Sequence, residues 1–163
     1  MKIFKKDGDN INMQRKEDVA NQLLVKIFNN ILEIEEKMLR KGEFSDLSIR
    51  EMHIIESVGK KEQSMMSEVA QDLGITVGTL TTAINKLIKK GYVTRRRIEE
   101  DRRVVMIQLT EKGHAACENH KGFHEEMISS MMDNHTEEEK EILTHSLEKL
   151  NNYFNEKYNL VKK

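Results

Sequence analysis

Residues 74–110 read GITVGTLTTAINKLIKKGYVTRRRIEEDRRVVMIQLT, and this stretch decides the fold. A helix is predicted over residues 77–90, because Thr76 can cap its start and Gly91 can end it. Gly74 ends a shorter helix before it, so only three residues separate the two helices. Two helices joined by so short a turn are typical of a helix-turn-helix.

The longer helix has an apolar face and a polar face. Leu80, Ile84, Leu87 and Ile88 fall on the side that is predicted to be buried. Threonine and asparagine are poor helix formers, so their presence where packing does not require them favours a contact with a ligand. A solvated polar face is the alternative. The residues of the outer face are Thr79, Thr81, Thr82, Asn85, Lys86 and Lys89.

A charged β-hairpin, or wing, is predicted after this helix. Residues 92–98 and 104–110 alternate apolar with polar side chains, and the charged residues 99–103 connect them. Residues 86–103 include eight Lys or Arg and three acidic residues, a local net charge of about +5, although the formal net charge of the chain is −1. Exposed ion pairs add little stability, so phosphate binding explains the arginines of the wing better.

A polar recognition helix beside an arginine-rich wing predicts DNA binding. The helix can enter the major groove, and the wing can reach phosphate groups or a neighbouring minor groove. A basic module that binds an acidic protein is conceivable, but it does not explain the complete helix-turn-helix. The predicted DNA contacts are Ser64, Thr76, Thr79, Thr81, Thr82, Asn85, Lys86, Arg95, Arg102 and Arg103.

Long amphipathic helices are predicted on both sides of this module. Over residues 16–41, apolar residues recur at three- and four-residue steps, in a stripe broad enough to face a second subunit. Two later helices are predicted to begin after Thr110 and after Thr136, where Glu139 completes a capping box. The predicted organisation is mainly α with a small β-wing: a flexible arm over residues 1–15, dimerisation helices over 16–46 and 111–163, and a winged helix-turn-helix over 47–110.

The bulk properties exclude several classes of protein. The charged fraction of 34% and the hydrophobic fraction of 37% are ordinary for a helix-rich globular domain. Cys117 is the only cysteine and cannot form an internal disulfide, which favours a reducing, cytoplasmic setting. No apolar run is long enough for a membrane span. An enzyme is not expected, because no Gly-rich phosphate loop, activated nucleophile or paired carboxylates are present.

Two motifs indicate the family. Residues 100–105, EDRRVV, are followed by residues 109–113, LTEKG. Together with the order of the helices, they make the chain resemble the MarR family of winged helix-turn-helix transcriptional regulators over nearly everything after Arg15. Within that family the chain is most similar to the FabT subgroup, which represses fatty-acid synthesis genes. That likeness is carried by residues 27–36, 49–53, 77–82 and 120–124.

The resemblance implies a homodimer that binds a palindromic operator in double-stranded DNA, and the apolar stripes on the long helices predict a dimer without it. It also implies that long-chain acyl groups on acyl carrier protein act as co-repressor. Methionine at helical spacing is more often core than ligand channel. The candidate residues for an acyl-chain pocket are Phe28, Ile31, Met52, Ile55, Phe123, Met127 and Met131.

A metal site is the alternative to an acyl effector. His120 and His124 are four residues apart on one predicted helix, the spacing that lets two imidazoles bind one ion. Some relatives in the family sense zinc with histidines in these helices, so His53 and a carboxylate such as Glu35 or Glu51 could complete the site. The FabT pattern has the same histidines without zinc sensing. No cofactor is therefore expected, and zinc remains the alternative.

Overall fold

The computed structural model describes residues 6–98 and 104–158. They form helices with a small sheet: α1 (Lys6–Lys41), α2 (Ile49–Gly59), β1 (Ser64–Met65), α3 (Met66–Asp72), α4 (Val77–Lys89), β2 (Val93–Arg97), β3 (Val105–Leu109), α5 (Glu111–Met132) and α6 (Glu137–Tyr158). The mainly α fold with a β-wing is confirmed. The chain divides into two compact units, Met1–Ile49 and Arg50–Lys163. Among the described residues, no helix combines the length and the apolar character needed to cross a membrane.

The first unit consists mainly of α1, which is longer than predicted. The prediction of a loose arm over residues 1–15 is wrong for residues 6–15, which are helical, and residues 1–5 lie outside the described part. No proline interrupts this segment, and a helix that has already formed grows at little cost per residue. The helix can therefore extend beyond its apolar stripe.

The second unit contains a three-stranded antiparallel sheet in the order β1-β3-β2. β2 and β3 form the predicted wing, with Val93 opposite Leu109 and Arg97 opposite Val105. The tip of the wing, residues 99–103, lies outside the described residues. The strand β1 pairs with β3 and was not predicted, because two residues are too few to show an alternating pattern.

The core of the second unit lies beneath α4 and the sheet. Leu80, Ile84 and Leu87 are fully buried, as the period of the helix predicted, and Ile88 is half-buried. Tyr92 and Ile107 are fully buried in or beside the strands of the wing. Burial of this face fixes which side of α4 points outward, so the polar residues between the buried ones face solvent.

The start of α5 is held against the end of α4 by close backbone contacts. Thr110 donates its N–H to the Tyr92 carbonyl at 3.0 Å and its hydroxyl to the Gly91 carbonyl at 2.7 Å. The same hydroxyl accepts the Gly113 N–H at 3.0 Å, which caps the helix. A Cβ on Gly113 would lie 2.2 Å from the Tyr92 carbonyl oxygen. Glycine is therefore required in the LTEKG segment for packing.

We expect Gly113→Ala to lower the free energy of unfolding by about 3 kcal/mol, the upper part of the range for overpacked sites. The added methyl group would collide with backbone, which cannot move aside as a flexible side chain does. Urea unfolding followed by circular dichroism, at one protomer concentration for all variants, measures the change.

Gly122→Ala is the matched control in the same helix, because a Cβ there meets no atom within 4 Å. Alanine is the better helix former by about 0.8–1.0 kcal/mol, so this variant should be at least as stable as the wild type. Equal stability of the two variants would contradict the role assigned to Gly113.

Candidate nucleic-acid interface

The recognition helix α4 has a well-formed start. Gly74 adopts a positive φ of 65°, which glycine tolerates without strain, and ends α3. The Thr76 hydroxyl accepts the Thr79 N–H at 3.1 Å and caps α4, as predicted. The turn between the helices is short and fixed, which confirms the helix-turn-helix. The first turn of α4, the part that meets base edges in proteins of this motif, is exposed to solvent.

The polar side of α4 faces outward as predicted. Thr79, Thr82, Asn85 and Lys86 are exposed, and Thr81 is half-buried. What the sequence did not reveal is how the hydroxyl groups are used. Thr81 donates its hydroxyl to the Val77 carbonyl at 2.7 Å. Thr82 donates to the Gly78 carbonyl at 3.3 Å in the same way, four residues back along the helix.

The wing contributes arginines to the same surface. Arg95 donates from Nη1 to Asn85 Oδ1 at 3.0 Å, so two residues predicted separately as DNA contacts are in direct contact. This bond leaves the Asn85 amide N–H groups and most of the guanidinium donors available. Arg96 donates to Gln63 Oε1 at 2.6 Å. Gln63 was missed by the sequence analysis, because a loop residue 33 positions away gives no periodic signal.

Three of the predicted DNA contacts are either outside the described residues or buried. Arg102 and Arg103 lie outside the described residues, so their role stays a prediction. Ser64 lies in β1 opposite Ile107 and is only 3% exposed. Ser64 does not cap α3, which begins at Met66 and has Met65 at its N-cap. The burial of Ser64 contradicts its prediction as a DNA contact, because almost none of the residue is at the protein surface.

Side-chain ion pairs lie at the ends of both α3 and α4. Asp72, at the end of α3, accepts hydrogen bonds from Lys60 and Ser57, both at 2.7 Å, and these bonds hold the pKa of its carboxyl below the ordinary value. The contribution of such a carboxylate to stability is present above its unfolded pKa and is lost as the pH falls through the folded pKa. Lys90, directly after α4, pairs with Glu51 of α2 at 2.8 Å in a half-buried setting.

A cluster of histidines lies on α5 near α2. The Nε2 atoms of His120 and His124 are 3.2 Å apart, and Glu56 Oε1 lies 3.8 Å from His120 Nε2. Ligand atoms of Glu56, His120 and His124 all lie within 4.8 Å of one another. The ring centroid of His53 is 6.0 Å from that of His120. Two imidazoles and one carboxylate are a donor set that fits zinc.

A carboxylate that was not predicted, that of Glu56, lies beside His120 and His124. Glu51 pairs with Lys90 instead, and Glu35 belongs to the first unit, where its role stays a prediction. Glu56 was missed, although it follows His53 by three residues and therefore lies on the same side of α2. That spacing is the signal that could have identified it.

The residues predicted to line an acyl-chain pocket have different surroundings. Met52 and Ile55 are fully buried in α2, as core residues are. On α5, Phe123 and Met127 are half-buried and Met131 is 41% exposed. In the first unit, Phe28 is 61% exposed and Ile31 is half-buried. The pocket itself stays a prediction.

Cys117 is half-buried, and burial raises the pKa of its thiol. Little thiolate is present at neutral pH, so the residue is a poor nucleophile. This environment is that of a structural rather than a reactive cysteine.

Comparison with known proteins finds transcriptional regulators and structures solved with DNA. Residues 37–119 match the family described as transcriptional regulator SarA/Rot. Streptococcus pneumoniae FabT, solved in complex with DNA, superposes with a TM-score of 0.83 at 41% identity, over 86% of this chain and 98% of FabT. A mutant of Escherichia coli MarR, solved with operator DNA, superposes with a TM-score of 0.64 at 22% identity, over 80% of this chain and 91% of that one, which shows the fold alone.

Among curated relatives, the Bacillus subtilis transcriptional repressor YetL is 35% identical over 81 residues. The match covers 50% of this chain and 48% of YetL, so the chain spans about half the length of that relative.

Replacing the cap residue tests the local structure of the recognition helix. We expect Thr76→Ala to lower the free energy of unfolding by about 1 kcal/mol, because the Thr79 N–H loses its acceptor. Thr76→Ser keeps the hydroxyl and should retain most of that stability in the same urea unfolding assay. If serine is as destabilising as alanine, the cap is not what the Thr76 side chain contributes.

Proposed function

Because the chain belongs to the MarR-type family of winged helix-turn-helix transcriptional regulators, we propose that it represses transcription by binding a palindromic operator in double-stranded DNA as a homodimer. The contact between Arg95 and Asn85 carries the proposal, because it places a guanidinium of the wing on the polar face of α4. Base contacts from the helix and phosphate contacts from the wing can then be made from one rigid surface. The expected place of action is the cytoplasm, where the DNA is.

Exposed apolar residues support the homodimer. In the first unit, Leu23, Ile27 and Phe28 of α1 are 53%, 53% and 61% exposed. In the second unit, Ile142 and Tyr158 of α6 are 60% and 59% exposed. Groups of large exposed apolar side chains mark protein–protein interfaces. A two-fold symmetric dimer presents two recognition helices, so the operator is expected to be a palindrome.

We also propose that the genes it represses are those of fatty-acid synthesis. Identity of 41% to FabT over 98% of that protein supports it, together with the resemblance in residues 27–36, 49–53, 77–82 and 120–124. We propose that acyl-acyl carrier protein acts as co-repressor, with the acyl chain bound among the apolar residues of the long helices.

A zinc-responsive regulator is the second candidate. The observation that favours it is the cluster of Glu56, His120 and His124, whose ligand atoms lie within 4.8 Å of one another. These residues would hold the ion, and zinc would link α2 to α5, which also packs against the wing through Thr110. The same cluster is explained without metal by the hydrogen bond between His120 and His124.

The contribution of the wing is tested by Arg95→Ala. We expect weaker binding to an operator duplex selected from a randomised pool, and a slope of log affinity against log salt that is shallower by about 0.9 for each protomer. Fluorescence anisotropy at several salt concentrations measures both quantities. Replacing both Arg102 and Arg103 by alanine should abolish operator binding while size-exclusion chromatography still shows the dimer.

Arg40→Ala is the matched control. Arg40 is an exposed arginine of the first unit that pairs with Glu36 at 2.6 Å, so its removal changes the net charge equally. The salt slope of this variant should equal that of the wild type. Identical slopes for all the variants would argue against phosphate binding by the wing.

The effector is identified by measuring operator affinity with long-chain acyl-acyl carrier protein, with zinc and with a chelator. We expect affinity to increase with the acylated carrier and to stay unchanged with zinc or chelator. A response to zinc alone would instead favour the second candidate. In that case His124→Gln should abolish zinc binding in a calorimetric titration. His114→Gln, an exposed histidine on the same helix, should not change it.

A further inference from the structure

The surface between the recognition helix and the wing contains two exposed apolar side chains. Met65 is 40% exposed and Val77 is 48% exposed, and among the described residues of the winged helix-turn-helix they are the large apolar side chains left exposed. Both line one groove with Thr81 and Arg95. This apolar patch, defined by Met65 and Val77, therefore lies on the surface that is proposed to face DNA.

Packing and helix formation do not explain Val77. It is the first residue of α4, and valine is a poorer helix former than alanine or a straight-chain polar residue. With 48% of its surface exposed, Val77 uses only part of its apolar side chain in packing within the protein. The N-terminal residues of a recognition helix are the ones that contact base edges. In a complex with DNA, the exposed part of Val77 can therefore contact a base, which it cannot do in the free protein.

The hydrogen bonds of the neighbouring threonines limit which groups the outer face of α4 can offer to DNA bases. Thr81 uses its hydroxyl proton on the Val77 carbonyl, and Thr82 uses its own on the Gly78 carbonyl. Each hydroxyl keeps acceptor lone pairs, and each side chain keeps its methyl group. Around Val77, α4 therefore offers apolar carbon more readily than hydrogen-bond donors.

The major groove contains one apolar group that such a surface can recognise. Thymine alone has a methyl group there, at C5, whereas the other bases present only hydrogen-bonding atoms and ring edges. We propose that Val77, supported by Thr81, binds the C5 methyl group of a thymine in each half-site, and that Arg95 at the rim of the same groove fixes the register. This inference rests on the proposed operator binding and specifies one base that the helix selects.

The experiment removes the methyl group from the DNA instead of changing the base. A high-affinity duplex is selected from a randomised pool with the purified wild-type protein, and each thymine is then replaced, one at a time, by deoxyuridine. We expect one position in each half-site at which the replacement weakens binding about fourfold, the effect of exposing one methyl group. Replacement at other thymines should change the affinity less than twofold.

The contact is assigned to Val77 by a double-mutant cycle. Val77→Ala should bind the thymine duplex more weakly, and deoxyuridine at the sensitive position should cause no further loss in this variant. Val77→Thr keeps one branch methyl group and should lie between alanine and wild type. Circular dichroism checks that both variants fold, which is expected for substitutions at an exposed position.

Two outcomes are distinguishable. If the selected duplex binds tightly but no deoxyuridine position weakens binding, or if the loss is equally large in Val77→Ala, the inference is overturned and operator binding stands. If no sequence is enriched from the pool, operator binding is overturned together with the inference.

Discussion

The winged helix depends on one junction, where the end of α4, the start of β2 and the start of α5 meet. Thr110 binds the carbonyls of Gly91 and Tyr92 within 3.0 Å, and Gly113 lies so close to the Tyr92 carbonyl that it has no room for a side chain. Lys112 adds a hydrogen bond to the Lys90 carbonyl at 3.1 Å and lies 4.0 Å above the Tyr92 ring. Backbone-to-backbone contacts of this kind tolerate little adjustment, because no rotamer change relieves them.

This junction links the DNA-facing surface to a long helix. α4 carries the polar face that points outward, and α5 carries the histidines and part of the proposed acyl-chain pocket. Because Gly91 is hydrogen-bonded to Thr110, a displacement of the start of α5 is expected to move the end of α4 as well. An effector is coupled to DNA binding when α5 has two arrangements that differ in DNA affinity and the effector binds one of them more tightly. The same requirement applies to an acyl chain and to a metal ion.

Local signals in the sequence were sufficient to predict the helices around this junction. Thr76 and Gly91 predicted the two ends of α4 to within one residue, and Thr110 and Gly113 mark the start of α5. The failures involve contacts between distant residues or segments without a period. Ser64 is buried because β1 pairs with β3, more than forty residues away. The bond between Arg95 and Asn85 is a side-chain contact between two elements, and no spacing rule predicts it.

The distribution of charge separates affinity from specificity on this surface. The first turns of α4, where Val77, Thr79 and Thr82 are exposed, contain no charged residue, whereas Lys86 and Lys89 lie toward its end and the arginines lie on the wing. Charged groups bind phosphates whatever the sequence, and their contribution falls with salt. Neutral groups at the start of α4 contribute less to the total affinity, but their contacts with base edges differ in free energy between one base pair and another. Base selection should therefore be less sensitive to salt than overall affinity, because it depends on contacts that release no counterions.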